Sequence, residues 1–126
     1  PEYVKLSESI YVINSISHDN LIRVIEDVDI FFMPFVLNKL TASVDPVKLY
    51  EYILLGKPIL TPYYSELDKF SKFVEFYKTE KDFLEILKII IKSSFKVRYT
   101  KKEQQNFISN NSWKNRGDQI NKILKI

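Results

Sequence analysis

The segment that decides the fold runs from Asp29 to Thr61 and has the sequence DIFFMPFVLNKLTASVDPVKLYEYILLGKPILT. It opens with Asp29–Met33, an almost continuous apolar run that Pro34 stops. Such a run is typical of a strand that is buried on both faces of a parallel sheet. A loop with several polar residues follows, and the segment ends in a second short apolar run, Pro58–Thr61. The two runs predict two strands of one sheet.

The residues between these strands predict a helix with clear ends. Asp45 and Pro46 have the order of a helix start, an aspartate N-cap followed by proline at the first helical position. Gly56 stands just past the predicted C-terminus, where a left-handed conformation is wanted. The whole segment is therefore predicted to be a strand, a loop, a helix and a strand.

Working outward, the flanking sequence continues the alternation of strands and helices. Upstream, Ser9–Asn14 predicts a strand, a loop runs from Ser15 to Asp19, and a helix spans about Asn20 to Asp27. Downstream, the pattern predicts a strand at Lys72–Tyr77 and then a helix that begins at the capping box of Thr79 and Asp82 and ends at about Lys92. Residues 93–100 are predicted to be irregular. Two further helices are predicted at Lys101–Asn110 and Trp113–Ile126. This alternation with short connections predicts one α/β domain over residues 1–126, with a mainly parallel sheet.

Composition excludes several classes of protein. The chain has 126 residues, of which 45% are apolar and 28% charged, as in ordinary globular domains. No apolar run approaches the roughly 20 residues of a membrane-spanning helix, and the first residues have no signal-peptide pattern. The chain has no cysteine and one histidine, so we expect neither disulfides nor a metal site, and the composition fits a cytoplasmic protein.

Charge is distributed unevenly along the chain. Residues 1–86 carry 9 basic and 14 acidic side chains, whereas residues 87–126 carry 10 basic and 2 acidic ones. The basic segment is compatible with a solvated helical face, with docking to an acidic neighbouring domain, or with peripheral contact at the inner face of the membrane. It lacks the regular aromatic residues of a single-strand binding surface, so we expect no nucleic-acid partner.

The binding edge of the predicted sheet is marked by its loops. In open α/β sheets, ligands bind beyond the carboxyl ends of the strands, here the loops Asn14–Asp19 and Pro34–Asp45. The helix that follows the second loop offers unpaired N–H groups, and Lys48 lies in its first turn. Lys48 and Glu51 are three residues apart and share a helix face. From spacing alone a surface ion pair is the favoured interpretation, and a nucleotide-diphosphate site is the alternative.

The same segment resembles the C-terminal domain of bacterial GT-B glycosyltransferases of the group 1-like type, enzymes that build capsule, lipopolysaccharide and related surface glycans. In that family a D-x-x-x-x-P strand precedes a P-x-K-x-x-E-Y helix and a G-K-P-V/I turn, matched here by Asp29–Pro34, Pro46–Tyr52 and Gly56–Ile59. The segment Ser112–Arg116 is similar to the family's terminal S-W-x-x-R helix, and the resemblance covers the chain from about residue 9 to its end. It implies a Rossmann-like three-layer α/β/α domain, the truncated C-terminal half of a GT-B fold.

The resemblance also implies roles for individual residues. Lys48 would contact the diphosphate of a nucleoside-diphosphate sugar, and Glu51 would bind the hydroxyls of the ribose or the sugar. The phosphate and sugar pocket would be lined by Thr41, Ser43 and the backbone of Val44, and the base would lie against the loop of Ser15, Ile16 and Ser17. Retaining relatives have an E-x7-E pattern, but the residue eight positions before Glu51 is Ser43, so the stereochemistry and the catalytic residues stay open.

The function that the resemblance implies is donor binding in a Leloir glycosyltransferase. Such an enzyme transfers a sugar from a nucleoside diphosphate to a glycan or lipid-linked acceptor in surface polysaccharide synthesis, and neither a metal nor another cofactor is expected. Pro1 and the missing first strands suggest a part of a longer protein, inactive without an N-terminal acceptor domain that this chain lacks. The alternative from another class is a non-catalytic α/β interaction or regulatory module.

Several side chains are expected to serve packing rather than binding. Phe31, Phe32 and Phe35 are predicted to pack in the core, as is Tyr50 together with Val47 and Leu54. Trp113 is expected to anchor the last helix, and His18 is more easily explained as an exposed loop residue than as a contact to the base.

Overall fold

The computed structural model describes residues 3–124, and it contains five strands and five α-helices within that range. The strands are β1 (Tyr3–Ser7), β2 (Ile10–Ile13), β3 (Phe31–Phe32), β4 (Ile59–Pro62) and β5 (Glu75–Tyr77). The helices are α1 (His18–Ile25), α2 (Val47–Leu55), α3 (Glu80–Lys92), α4 (Lys101–Asn110) and α5 (Trp113–Leu124), with 3-10 turns at Thr41–Ser43 and Ser65–Phe70. The last two residues of the predicted C-terminal helix lie outside the described range.

A three-stranded parallel sheet with the order β3-β4-β5 forms the centre of the domain. Its middle strand, β4, is completely buried, and the Thr61 hydroxyl donates a hydrogen bond to the Met33 carbonyl at 3.0 Å. The sheet confirms the predicted α/β class, and β3 and β4 correspond to the two apolar runs that were predicted to form strands of one sheet.

Helices contact both faces of this sheet. The Phe31 ring stacks on Tyr52 of α2 with centroids 4.1 Å apart, and the Phe32 ring lies 5.7 Å from Phe83 of α3. Neighbouring residues of a strand point to opposite faces. Helices α2 and α3 therefore pack on opposite sides of β3.

The first predicted strand exists, but it does not join the parallel sheet. Strand β2 pairs antiparallel with β1 in a separate hairpin, with Val4 opposite Val12, and all four of its residues are exposed. A β-branched and aromatic run favours extended backbone but does not specify which strand it pairs with. The expectation that this strand belongs to the main sheet was wrong.

Helix α2 ends as predicted but begins differently. Gly56 is its C-cap with φ of 69°, and a Cβ at this position would lie 3.1 Å from Nε2 of Gln104. Pro46, not Asp45, is the N-cap residue, so the predicted aspartate cap was wrong. The Asp45 carboxylate instead accepts hydrogen bonds from the Tyr50 hydroxyl and pairs with Lys69 at 2.8 Å.

The helices after the sheet confirm the sequence prediction closely. The capping box of Thr79 and Asp82 opens α3, which ends at Lys92, and Thr100 with Glu103 forms a second capping box at α4. Irregular backbone joins these helices, with positive φ at Ser94 and Phe95. No helix within residues 3–124 is long and apolar enough to cross a membrane.

The hydrophobic core lies between the sheet, α2 and the 3-10 turn before β5. Its fully buried members are Leu49, Ile53, Ile59, Leu67 and Phe70. Phe107 of α4 extends the core through ring contacts with Tyr50, Phe70 and Phe73.

Some predicted packing residues are not in the core. Phe31 is buried and Tyr50 packs against the core, as predicted, but the side chains of Phe32, Phe35, Val47 and Leu54 are exposed. Trp113 is 83% exposed, so it does not anchor α5. Apolar periodicity identifies a helix face, but it does not show how much of that face a neighbouring element covers.

Candidate functional site

The candidate site is centred on the carboxylate of Glu51, in the middle of α2. One oxygen of this carboxylate pairs with Lys48 Nζ at 3.0 Å, and the other lies 3.9 Å from His18 Nε2. All three side chains are at least partly open to solvent. Because α2 follows the loop that leaves the carboxyl end of β3, its first turn, with Lys48, lies nearest to the predicted binding edge.

His18 brings the first of the two predicted binding loops close to α2. It is the first residue of α1 and directly follows the loop of Ser15, Ile16 and Ser17, which brings the end of that loop close to Glu51. Sequence reasoning ranked His18 as a minor candidate, since nothing local relates it to a residue 33 positions away. The structure brings the two residues together although β2 lies outside the parallel sheet.

The loop before α2 is ordered by its own hydrogen bonds. The Thr41 hydroxyl donates to the Val36 carbonyl at 2.8 Å and accepts from the backbone N–H of Asn38 at 2.9 Å. The Asn38 side-chain oxygen in turn accepts from the backbone N–H groups of Leu40 and Thr41. These bonds order the loop, and they engage the Thr41 hydroxyl inside it.

Ser43 and Val44 lie between this loop and α2. Ser43 is exposed, and its hydroxyl makes one long contact, 3.4 Å, to the carbonyl of Lys39. The Val44 carbonyl accepts a hydrogen bond from the buried Tyr64 hydroxyl at 3.1 Å, and its N–H donates to Thr41. Of the predicted pocket residues in this stretch, Ser43 has the hydroxyl most accessible to a ligand.

The negative charge of Asp45 at the start of α2 is balanced by a nearby lysine. Asp45 would compete with a bound phosphate at the positive end of the helix. However, Lys69 pairs with its carboxylate at 2.8 Å. Burial works to lower the pKa of Lys69, but hydrogen bonds with Asp45 and Tyr50 outweigh it and raise this pKa above the ordinary value. Lys69 therefore stays charged and balances Asp45, a role with no local sequence signal.

Two grooves border Glu51 on opposite sides of α2. On the side of α1, an apolar groove of about 110 Å³ is lined by Leu21, Ile22, Ile25 and Leu54, with His18 and Glu51 at its rim. On the side of α4 and α5, two adjoining cavities of about 240 and 140 Å³ share Val47, Tyr50, Asn111 and Trp113 as lining residues. Glu51 lines the larger of these cavities as well.

Comparison with known proteins leaves the site to be interpreted from its geometry. No protein-family model matches the chain, and neither a curated protein nor a solved structure matches it. Within residues 3–124, no group of three or more His, Asp or Glu side chains is arranged to hold a metal ion.

Proposed function

We propose that this chain is the nucleotide-sugar-binding domain of a Leloir glycosyltransferase that transfers a sugar to a glycan or lipid-linked acceptor. The observation that carries the proposal is the position of the Glu51 carboxylate between Lys48 and His18. The resemblance assigns the diphosphate to Lys48 and the ribose to Glu51, and it assigns the base to the loop that directly precedes His18.

In this proposal each part of a nucleoside diphosphate has a group that would bind it. The Lys48 ammonium, in the first turn of α2, would neutralise phosphate oxygens beside the positive end of the helix. The Glu51 carboxylate would accept hydrogen bonds from ribose hydroxyls. The loop that ends at His18 would contact the base.

In the proposed reaction the bond between the anomeric carbon of the sugar and the phosphate oxygen breaks while the acceptor oxygen bonds to that carbon. Negative charge then develops on the diphosphate that leaves, and this charge needs stabilisation. Fixed positive groups can supply it, because charge that develops on the leaving oxygens is stabilised by preorganised cations and helix dipoles. In this proposal Lys48 and the N–H groups at the start of α2 provide that stabilisation. A second domain would provide the acceptor site.

The fold supports the proposal at a coarser level. A parallel sheet with helices on both faces is the core of a Rossmann-like three-layer domain, and we propose that this chain is the C-terminal half of a GT-B fold. We further propose that the domain acts in the cytoplasm, with the basic residues 87–126 available for contact with the inner face of the membrane.

Calorimetric titration with UDP-glucose, GDP-mannose, UDP and GDP tests the proposal. We expect saturable binding of at least one nucleotide, and Lys48→Ala and Glu51→Gln should each weaken it about tenfold to a hundredfold, the value of one charged hydrogen bond. Lys88→Ala and Glu85→Gln, exposed residues of α3, are matched controls and should leave the affinity unchanged. Loss of the Lys48–Glu51 pair itself should hardly alter stability, because exposed ion pairs contribute little.

The outcomes separate the proposal from its alternative. A loss of affinity in both site variants, but in neither control, supports nucleotide binding at Glu51. The absence of binding in the wild-type protein, or unchanged binding in both site variants, would favour the non-catalytic interaction module.

A further inference from the structure

Asp45 directly precedes the cap residue of α2, and two other side chains hold its carboxylate. Lys69, in the 3-10 turn before β5, pairs with this carboxylate at 2.8 Å. The Tyr50 hydroxyl contacts its two oxygens at 3.4 and 3.3 Å. The helix is capped by Pro46, which makes no side-chain hydrogen bond. The carboxylate is therefore bonded beside the helix and not across its N-terminus.

The Tyr50 hydroxyl is itself fixed in place. Its ring packs edge-on against Phe70, with centroids 5.0 Å apart, and stacks on Phe107 at 5.8 Å. The Arg116 guanidinium of α5 donates a hydrogen bond to the hydroxyl at 3.2 Å. A tyrosine hydroxyl has one proton, so a hydroxyl that accepts from Arg116 directs this proton to Asp45. Arg116 thereby orients the bond through which Tyr50 holds Asp45.

Tyr50 and Lys48 point to opposite sides of α2. They are two positions apart, so their side chains leave the helix about 200° apart around its axis. Their contacts agree with this geometry. Lys48 pairs with Glu51, which approaches His18 of α1, whereas Tyr50 contacts α4 and α5. Because Asp45 is bonded to Tyr50, its carboxylate is drawn to the side of α2 away from Lys48.

A carboxylate that lacked these bonds would interfere with anion binding at the start of α2. Asp45 is only three residues before Lys48, so a released carboxylate can approach the Lys48 ammonium. It can also accept hydrogen bonds from the N–H groups of the first turn, which attract negative charge. Both kinds of contact compete with a phosphate for the same donors.

We propose that Lys69, Tyr50 and Arg116 are positioning residues for the diphosphate. They hold the Asp45 carboxylate on the face of α2 opposite Lys48, so that an anion can reach the Lys48 ammonium and the start of the helix. None of the three touches the nucleotide in this arrangement. The inference rests on the function proposed above, which assigns the diphosphate to Lys48. It adds that nucleotide affinity depends on a turn and a helix outside the donor site.

Calorimetric titration with UDP, GDP and inorganic pyrophosphate at one fixed ionic strength tests the role of Lys69. Lys69→Met should weaken diphosphate binding about threefold to tenfold, because Asp45 loses its counter-charge and is free to approach Lys48. Adding Asp45→Asn to Lys69→Met removes the competing charge, and the affinity should return to within about twofold of the wild type. Asp45→Asn alone should bind at least as tightly as the wild type.

The matched control is Lys72→Met. Lys72 pairs with Glu103, so this variant also removes one positive charge and breaks an exposed lysine–carboxylate pair. It should change the affinity by less than about twofold, because exposed charges beyond the Debye length are largely screened. The rescue also separates the effect from a loss of fold, since the double variant lacks the same ion pair as Lys69→Met. Thermal unfolding followed by circular dichroism compares the stabilities of these variants.

A double-mutant cycle tests whether Arg116 acts through Tyr50. Tyr50→Phe keeps the ring but removes the hydroxyl, and it should weaken diphosphate binding about twofold to fivefold. Arg116→Met should have a similar effect alone and no further effect in the Tyr50→Phe background. Losses that add in the double variant would mean that Arg116 contacts the anion directly, which would overturn its positioning role.

The positioning role and the proposed function fail in different ways. Binding of UDP or GDP that is unchanged in Lys69→Met, or a loss that Asp45→Asn does not restore, would overturn the positioning role alone. Pyrophosphate binding with the expected loss and rescue, but without binding of either nucleotide, would support the positioning role and overturn the donor function. If the wild-type protein binds none of the three anions, both are wrong.

Discussion

At the scale of single residues, the hydroxyl of Tyr99 is an energetic weak point. Tyr99 is 8% exposed, its ring contacts Phe73, and its hydroxyl is buried without a hydrogen-bond partner among residues 3–124. An unsatisfied buried polar group costs about 1–3 kcal/mol. We therefore expect Tyr99→Phe to raise the free energy of unfolding by about 1 kcal/mol, measured by urea denaturation at pH 7. Tyr64→Phe should do the opposite, because the Tyr64 hydroxyl donates to the Val44 carbonyl.

The same residue makes stability depend on pH in the alkaline range. Burial raises the pKa of Tyr99 from 10.0 to about 12, so the folded state disfavours its phenolate. Below pH 10 the hydroxyl is protonated in both the folded and the unfolded state, so its ionisation does not change the free energy of unfolding. As pH rises from 10 toward 12 the unfolded state loses this proton more readily than the folded state, so the free energy of unfolding falls. Tyr99→Phe should lose less stability over this interval than the wild type. Equal losses in the two proteins would show that Tyr99 is not the group responsible.

Asp45 and Glu51 show which residue roles the sequence could not reveal. The order Asp45-Pro46 favours a helix cap, but the carboxylate bonds to Tyr50 and Lys69 instead. The Lys48–Glu51 pair follows from helix spacing and was predicted, whereas the approach of His18 to Glu51 depends on how α1 packs. The spacing of residues along a helix predicts which side chains share one face. Tertiary packing decides which residues of other elements contact that face.

At the scale of elements, the capping box of α3 makes a measurable contribution. The Thr79 hydroxyl accepts a hydrogen bond from the Asp82 N–H at 3.1 Å, and the Asp82 carboxylate accepts from the Thr79 N–H at 3.2 Å. Thr79→Ala should lower the free energy of unfolding by about 1 kcal/mol, because an N–H of the first turn loses its partner. Thermal and urea unfolding followed by circular dichroism measure this change. Thr79→Ser keeps the hydroxyl and should restore most of the stability, and an equal loss in both variants would contradict a capping role.

Elements with local boundary signals were predicted best. The bounds of α3 and α4 follow from capping residues and from the irregular stretch between them, so sequence alone located both helices. Strands gave weaker predictions, since β3 has only two residues in the ladder and β2 pairs with a strand that was not predicted. A strand takes its length and its place in a sheet from the strands that pair with it, and its own residues do not specify them.

At the scale of the whole molecule, α2 packs on the sheet and contacts three other helices. His18 of α1 approaches Glu51, Arg116 of α5 bonds to Tyr50, and Gln104 of α4 bonds to the end of the helix. Displacement of α2 would therefore change both grooves together. The contact with α4 is the most buried of the three and offers the clearest test of this arrangement.

Gln104 is 3% exposed, and its side-chain amide donates to the carbonyls of Ile53 and Leu54 at 2.6 and 3.2 Å. These carbonyls belong to the last turn of α2, where helical N–H partners run out, and only the Ile53 carbonyl accepts in addition from the N–H of the cap residue Gly56, at 3.1 Å. Gln104→Met keeps the length of the side chain but removes both donors, and we expect it to lower the free energy of unfolding by about 1–3 kcal/mol. The matched control is Gln105→Met, an exposed position on the same helix, which should change stability by less than about 0.5 kcal/mol. Urea denaturation of the two variants measures the difference. If the two variants are equally stable, α4 holds α2 through the Phe107 ring contacts alone. A loss of stability confined to Gln104→Met would show that one buried amide joins α4 to α2, between residues 51 positions apart.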